Sequence, residues 1–322
     1  MSVLRRVEDE PPRTRLDYFR HIVADSIVPF DVSIDPERDL RAEILTGPVG
    51  MVHVTKITAA TTLQAFRTRR LIRISDPELL KIDVLVRGDA VFAQGDREAG
   101  LGPGDFTFLD LSRPCQVAER SDDHEVVAVK FPRAALSLGH NDLERLTAVP
   151  ISGREGLGAP ISSLARHLAR HLEGYGPTEG GRLATALMDL LVVALAERLD
   201  RVAMIAPETR RRALLASVQS FIDKRLGDPA LSPSMIAAAH HISLRYLYKL
   251  FDGQDATVGG WIRASRLERC RRDLLDPALS DWSVSAIGAR WGLTDASHFS
   301  RVFRAAYGCP PRQWRARALG AR

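Results

Sequence analysis

Cysteine is scarce in this chain, with three in 322 residues. Cys115, Cys270 and Cys309 are odd in number and lack metal-ligand spacing. That excludes a disulfide framework and predicts plain packing roles in a reducing compartment. An apolar leader is also missing, because the opening MSVLRRVEDEPPRTR has no signal core; a cytoplasmic protein is expected. Long hydrophobic runs are few. The strongest, in RLATALMDLLVVALAERLD (Arg182 to Asp200), is too short for a membrane span and contains Asp189. Between Met51 and Phe131 there is no His-x-His pair, and His53 and His124 stand alone. Isolated histidines of this kind are satisfied structural residues more often than ligands, so neither a metal nor a cofactor is expected. No low-complexity segment points to disorder beyond the first dozen residues.

Charge, by contrast, is present and unevenly spread. From Glu208 onward there are 19 Lys and Arg against 10 Asp and Glu, whereas residues 1–207 carry 26 basic and 30 acidic side chains, for +5 overall. An acidic-leaning front and a basic rear predict that only the rear meets phosphates. At about 150 residues per domain, the length suggests two domains.

The rear carries one pattern twice, in LSPSMIAAAHHISLRYLYKLF (Leu231 to Phe251) and in WSVSAIGARWGLTDASHFSRVF (Trp282 to Phe303). Each copy has a helix of small residues, a tight turn and a second amphipathic helix. His241 aligns with Gly292 at the turn, where a left-handed backbone is expected that glycine adopts freely and histidine tolerates. Ser243 and Thr294 follow as candidate caps of the second helices, and Ser232-Pro233 opens the first scaffold helix. Beyond the turn the second copy is one residue longer, so Leu247 aligns with Phe299 and Phe251 with Phe303.

At 100° per residue, Phe299, Val302 and Phe303 share one side of the last of these helices, and Ser297, Ser300, Arg301 and Arg304 the other. In the first copy Leu247, Leu250 and Phe251 form the packing side; Arg245, Tyr248, Lys249 and Asp252 face outward. A single helix–turn–helix would fit a solvated charged face equally well, but duplication together with the basic charge favours DNA. Between the copies Trp261, Ala264, Leu267, Cys270 and Leu274 mark one face of a connecting helix of about eighteen residues, roughly 27 Å long. Such a rod suits two probing helices on major grooves about 34 Å apart. It is studded by Arg263, Arg266, Arg269, Arg271 and Arg272, each a candidate either for phosphate contact or for a solvated face.

The front reads differently. VHVTKI, LLKIDVLV, AVFA, FTFLDL and EVVAVKF are parted by Gly, Pro and Asp turns, which predicts a small antiparallel barrel or sandwich. Asp105 and Asp110, beside a Gly-Pro-Gly turn, are expected to bond the turn backbone rather than to act as a catalytic pair. ISSLARHLARHL (Ile161 to Leu172) and the Arg182 to Asp200 segment are helical. The second, with Leu183, Leu187, Leu190, Leu191, Ala194 and Leu195, is apolar nearly all round and must be buried in its own domain or against a twin. The joint between domains is expected near Ile205 to Arg212. A helix, ALLASVQSFIDKRL, then stops at Gly227 with Pro229 beyond.

Taken with these motifs, residues 208–322 resemble the DNA-binding domain of AraC/XylS-type transcription regulators, seven helices with two helix-turn-helix units on a long linker helix. The segment GLTDASHFSRVFRAAYGCPPRQW (Gly292 to Trp314) is the most specific match, and Arg266, Leu267 and Glu268 in the linker also fit. The resemblance implies base contacts through Arg245, Tyr248 and Lys249 in the first unit and through Ala296, Ser297, Ser300 and Arg301 in the second. Ala296 departs from the polar residue usual there and offers only apolar contact, as with a thymine methyl. Residues 1–205, with strands over about 40–150 and helices over about 155–205, resemble the cupin-like sensor domain of the same regulators, most visibly in GLGPGDFTFLDLSRP (Gly100 to Pro114). The expected fold is thus α+β, an antiparallel β barrel or sandwich followed by an all-α domain. What the resemblance implies is an activator on double-stranded promoter DNA, a homodimer working with RNA polymerase and answering a small-molecule effector. A ligand-independent regulator or repressor, and a cupin metal enzyme fused to a DNA-binding domain, are the alternatives.

Overall fold

The computed structural model describes residues 2–35, 37–136, 138–200, 207–252 and 256–319. They form two compact units, Met1–Ala216 and Ser217–Arg322. The joint expected near Ile205 to Arg212 begins at positions outside the described residues.

In chain order the first unit holds β1 (Val3–Arg6), α1 (Arg15–Ser26), β2 (Asp31–Ile34), β3 (Ala42–Val49), β4 (Val52–Ala59), β5 (Leu63–Arg67), α2 (Arg69–Ile74), β6 (Leu79–Arg87), β7 (Ala90–Gln94), β8 (Arg97–Leu101), β9 (Phe106–Asp110), β10 (Cys115–Glu119), β11 (His124–Pro132), α3 (His140–Leu146), α4 (Gly158–Arg170) and α5 (Pro177–Arg198). The strands make a six-stranded sheet, β1-β3-β4-β11-β6-β9, and a five-stranded one, β2-β5-β10-β7-β8. Every strand pairing is antiparallel. Among the described residues no strand is shared between them, so of the two architectures left open the sandwich is the one found.

The period-two alternation of β6 and β11 explains how the six-stranded sheet is buried on both faces. Leu80, Ile82, Val84, Val127, Val129 and Phe131 join the core under α4 and α5, whereas Leu85, Val126 and Ala128 join the core between the sheets. Into that second core α1 sets Phe19, Ile22 and Val23, spaced for one helix face. Lys81 and Asp83 fall on the same inner face and are 4% and 3% exposed, with Nζ 2.9 Å from the carboxylate. Two charges survive there because they neutralise each other. Leu187, Leu190, Leu191 and Leu195 of α5 are buried in the unit's own core, and Asp189 is paired with Arg212 at 2.5 Å. The apolar excess of that helix is therefore consumed within its own domain.

Asp105 accepts the Gly102 and Gly153 amides at 3.4 and 3.3 Å, and Asp110 accepts the Ser112 amide at 3.0 Å while pairing with Arg133. Both carboxylates hold backbone, as their turn context predicts. Strand β1 corrects the expectation for the first dozen residues: Val3 to Arg6 pair with Thr46 to Glu43, because the β3 edge supplies hydrogen bonds that a local pattern cannot reveal. Cys115, Cys270 and Cys309 are buried and free, and burial pushes the Cys115 and Cys270 thiols up to about 12. No helix among the described residues is long and apolar enough to cross a membrane.

The second unit is helical: α6 (Pro207–Lys224), which begins in the first unit, α7 (Pro233–Ala239), α8 (Leu244–Leu250), α9 (Val258–Asp273), α10 (Val284–Arg290), α11 (Ala296–Tyr307) and α12 (Pro311–Leu319). The linker α9 has 16 residues, about 24 Å of helix, opened by the Thr257 hydroxyl on the Gly260 amide. Its buried residues are Val258, Ile262, Leu267 and Cys270, with Leu274 buried just beyond its end. Ala264 is exposed and Trp261 half-buried, so the expected face was rotated at its first turn, where Ile262 takes the core position.

Arg266 turns inward from α9. Its guanidinium donates to the carbonyls of Leu226 at 3.0 Å, Asp228 at 2.6 Å and Gly292 at 3.4 Å. Gly292 sits at φ +70°, and a Cβ there would lie 2.8 Å from the Arg266 guanidinium carbon. The backbone thus favours glycine, and the clamp leaves no room for a side chain. Gly292→Ala should lower the stability of the full chain's helical unit by roughly 1–3 kcal/mol, read from urea unfolding followed by Trp fluorescence; a loss too small to measure would show that the clamp tolerates a side chain.

Candidate nucleic-acid interface

Two helix-turn-helix frames stand on α9, and each builds its turn from local chemistry. In the first, Ser232 caps α7 through the Met235 amide at 3.4 Å, and Ser243 caps α8 through the Tyr246 amide at 3.1 Å. Between them His241 takes φ 52°, the left-handed conformation expected at that position. Leu247, Leu250 and Phe251 are buried at 0%, 1% and 4% exposure. The opposite face of α8 exposes Arg245, Tyr248 and Lys249. Leu244 and Tyr246 are also exposed, a consequence of the helix being short and supported from one side only.

In the second frame Ser283 caps α10 through the Ala286 amide at 3.0 Å. The cap of α11 is Asp295, not the expected Thr294: Oδ1 accepts both the Ser297 and His298 amides at 2.9 Å. The reason is the extra residue in this turn, which moves the cap one position along. Those amides, His298 first, hold the Asp295 carboxyl below its ordinary pKa. Phe299 and Phe303 are buried, stacked edge-on at 5.7 Å, with Tyr307 and Trp314 continuing the aromatic cluster. A Cβ on Gly288 would come within 2.8 Å of the Phe299 ring, so the close crossing of α10 and α11 depends on that glycine. Fixing α11 from beneath leaves Ala296, Ser297 and Arg301 exposed and Ser300 half-buried on its outer side. Arg301 Nη2 donates to His298 Nδ1 at 3.2 Å, which steadies the guanidinium along the helix surface.

All seven residues singled out by sequence therefore lie on the outer faces of α8 and α11, three on one and four on the other. The linker arginines divide. Arg266 is the internal clamp already described. Arg271 and Arg272 both bind Glu268, at 2.7 and 2.9 Å, and hold its carboxyl down to about 2; Tyr307 also donates to that carboxylate at 3.3 Å. Arg269 lies over the Trp291 ring at 5.6 Å, and Arg263 is exposed. Sequence spacing could not separate these fates, because the acceptors of Arg266 come from segments 26 to 40 residues away.

Chemically, the two outer faces offer what duplex reading requires: cations and hydroxyls for phosphate and base edges, on helices held rigid from behind. Among the described residues no group of three or more His, Cys, Asp or Glu side chains is arranged to hold a metal ion.

Comparison with known proteins agrees with this geometry. Residues 19–196 match the AraC-binding-like domain and residues 236–317 a helix-turn-helix domain. The chain is similar to the transcriptional activator NphR of Rhodococcus sp., 32% identical over 284 residues, covering 87% of this chain and 82% of the relative. It is also similar to an uncharacterized protein in the nit 5′ region of Bacillus sp. (strain OxB-1), 26% identical over 256 residues, covering 77% of this chain and 96% of that one. Among solved structures, the AraC-like transcriptional activator CuxR superposes with a TM-score of 0.52 at 19% identity, over 92% of this chain and 100% of that one, a likeness of fold. On the strength of the match over its front domain and of the relative spanning most of its length, the chain belongs to the AraC family of helix-turn-helix transcription regulators.

Proposed function

We propose that this regulator is a cytoplasmic transcription activator that binds promoter DNA through both helix-turn-helix units. In this reading Arg245, Tyr248 and Lys249 on α8, and Ala296, Ser297, Ser300 and Arg301 on α11, meet base edges in successive major grooves. The observation that carries the reading is the pairing of two exposed, cation-bearing helix faces with two fully buried ones in the same frame. Residues 208–322 act as the DNA-binding domain; residues 1–205 act as a cupin-like domain for effector response and dimerisation. Activation, which implies contact with RNA polymerase, is supported by the name of the Rhodococcus relative. Because the buried leucines of α5 are occupied in its own core, dimerisation draws on other surfaces of the chain. Light scattering of the full chain should find twice the monomer mass, and a monomer at every concentration would remove the dimer.

The DNA reading is tested by selecting bound sequences from a random duplex pool with the full chain and then measuring variants on the selected site. Arg301→Ala is expected to cost about 1–3 kcal/mol and to relax preference at one position. Arg263→Ala, on the exposed side of the linker, is expected to weaken all sequences alike and to reduce the salt slope by about one. Unchanged binding by Arg301→Ala would displace α11 from the groove.

A further inference from the structure

Between the two sheets of the first unit lies a small, partly open cavity with about 60 Å³ of solvent-accessible room. Ten of its fourteen lining residues are apolar, with Phe19, Phe30 and Phe92 the largest, and four are polar: Lys81, Asp83, Glu119 and His124. An apolar wall with a few convergent polar groups is the usual build of a small-molecule site.

The state of the polar groups narrows what can enter. Lys81 and Asp83 neutralise one another at 2.9 Å, and the ammonium also lies 5.3 Å from the Phe30 ring centre. Burial pushes the His124 imidazole down. Its Nδ1 is 3.2 Å from the Ser121 carbonyl, which can only accept, so Nδ1 carries the proton and Nε2 is left as an acceptor. Glu119 is 8% exposed, and its Oε2 is buried with no hydrogen-bond partner. Burial and then the neighbouring Asp83 push this carboxyl up to about 8, against Lys81. At neutral pH it is therefore mostly a neutral acid, and the lining as a whole carries no net charge. Any charged ligand would be desolvated there without a counter-ion, a cost that an uncharged one escapes. An orphaned buried carboxyl is itself costly, and a partner brought by a ligand would relieve it.

We infer that this cavity takes a small, uncharged, ring-bearing molecule whose one polar group, an oxygen acceptor, pairs with the Glu119 side chain. The inference rests on the effector-responsive reading above and names the chemistry of that effector. The groups that face Glu119 are Lys81 and Asp83 from β6 and His124 at the start of β11. Asp35, just past β2, joins Glu119 in lining an adjoining surface depression. Glu119 donates while protonated, so binding is strongest below a pH of about 8 and is lost as pH rises through that value.

Three probes of nearly one shape test this by calorimetry on the full chain at neutral pH: benzamide, benzoate and benzylammonium. Benzamide should bind, with the two ions weaker by about tenfold or more. Glu119→Gln, which keeps a donor but cannot titrate, should retain benzamide binding and abolish its decline at alkaline pH. Phe92→Trp, which fills the cavity, should abolish binding. No heat from benzamide at millimolar concentration would overturn the inference. So would preferential binding of either ion, or a pH decline unchanged in Glu119→Gln. Selection of DNA sites by the full chain uses none of these probes, so a failure here leaves the DNA-binding reading standing; preferential binding of benzoate or benzylammonium would overturn the ligand chemistry while leaving effector response in place.

Discussion

The helical domain is organised around one half-buried cation. Arg266 gathers three carbonyls, from Leu226 and Asp228 ahead of the first helix-turn-helix unit and from Gly292 at the turn of the second. Burial pushes its guanidinium below the ordinary value, opposed by Asp228, yet an arginine fork remains charged and can satisfy several acceptors at once. The clamp adds to the turn's own backbone hydrogen bonds and to the bond from Trp291 to Asp273 in holding the second unit. With the clamp, the segment leading into the first unit and the turn of the second are both tied to the linker helix.

Rigidity from behind is what gives the outer faces meaning. Phe299, Phe303, Tyr307 and Trp314 form a continuous aromatic wall beneath α11, and the Asp295 carboxylate fixes its first turn. Side chains presented by such a helix lose little further freedom on meeting DNA, so more of each contact becomes discrimination. Arg271 and Arg272 are drawn to Glu268 and stiffen the linker instead of searching for phosphate.

The front domain answers a different problem, that of keeping charge inside an apolar sandwich. Pairing settles it for Lys81 and Asp83, while burial pushes the Glu119 carboxyl up to about 8. Neither arrangement leaves an isolated charge in the interior, and the Glu119 Oε2 is buried there with no hydrogen-bond partner.

Much of this was legible in the chain. Short apolar runs parted by turn residues, LLKIDVLV and EVVAVKF among them, marked β6 and β11, and the period of the rear segments gave α8 and α11 together with their outer faces. Short elements with weak patterns were not legible: β1, β8 and β10 are held by pairing with distant neighbours, and α1 by the core it covers. The Thr294 cap and the Trp261 face position were each misjudged by a single residue, the first because of the extra residue in the turn and the second because helical spacing sets a face only to within a residue. By itself, then, the sequence determined the two frames, their turn chemistry and the basic rear, because these are local patterns of backbone preference and amphipathicity. Only the tertiary structure decided that Arg266 is a clamp, that the α5 leucines are spent within their own core, and that Lys81, Asp83 and Glu119 share one interior, because burial and partnership arise between segments far apart in the chain.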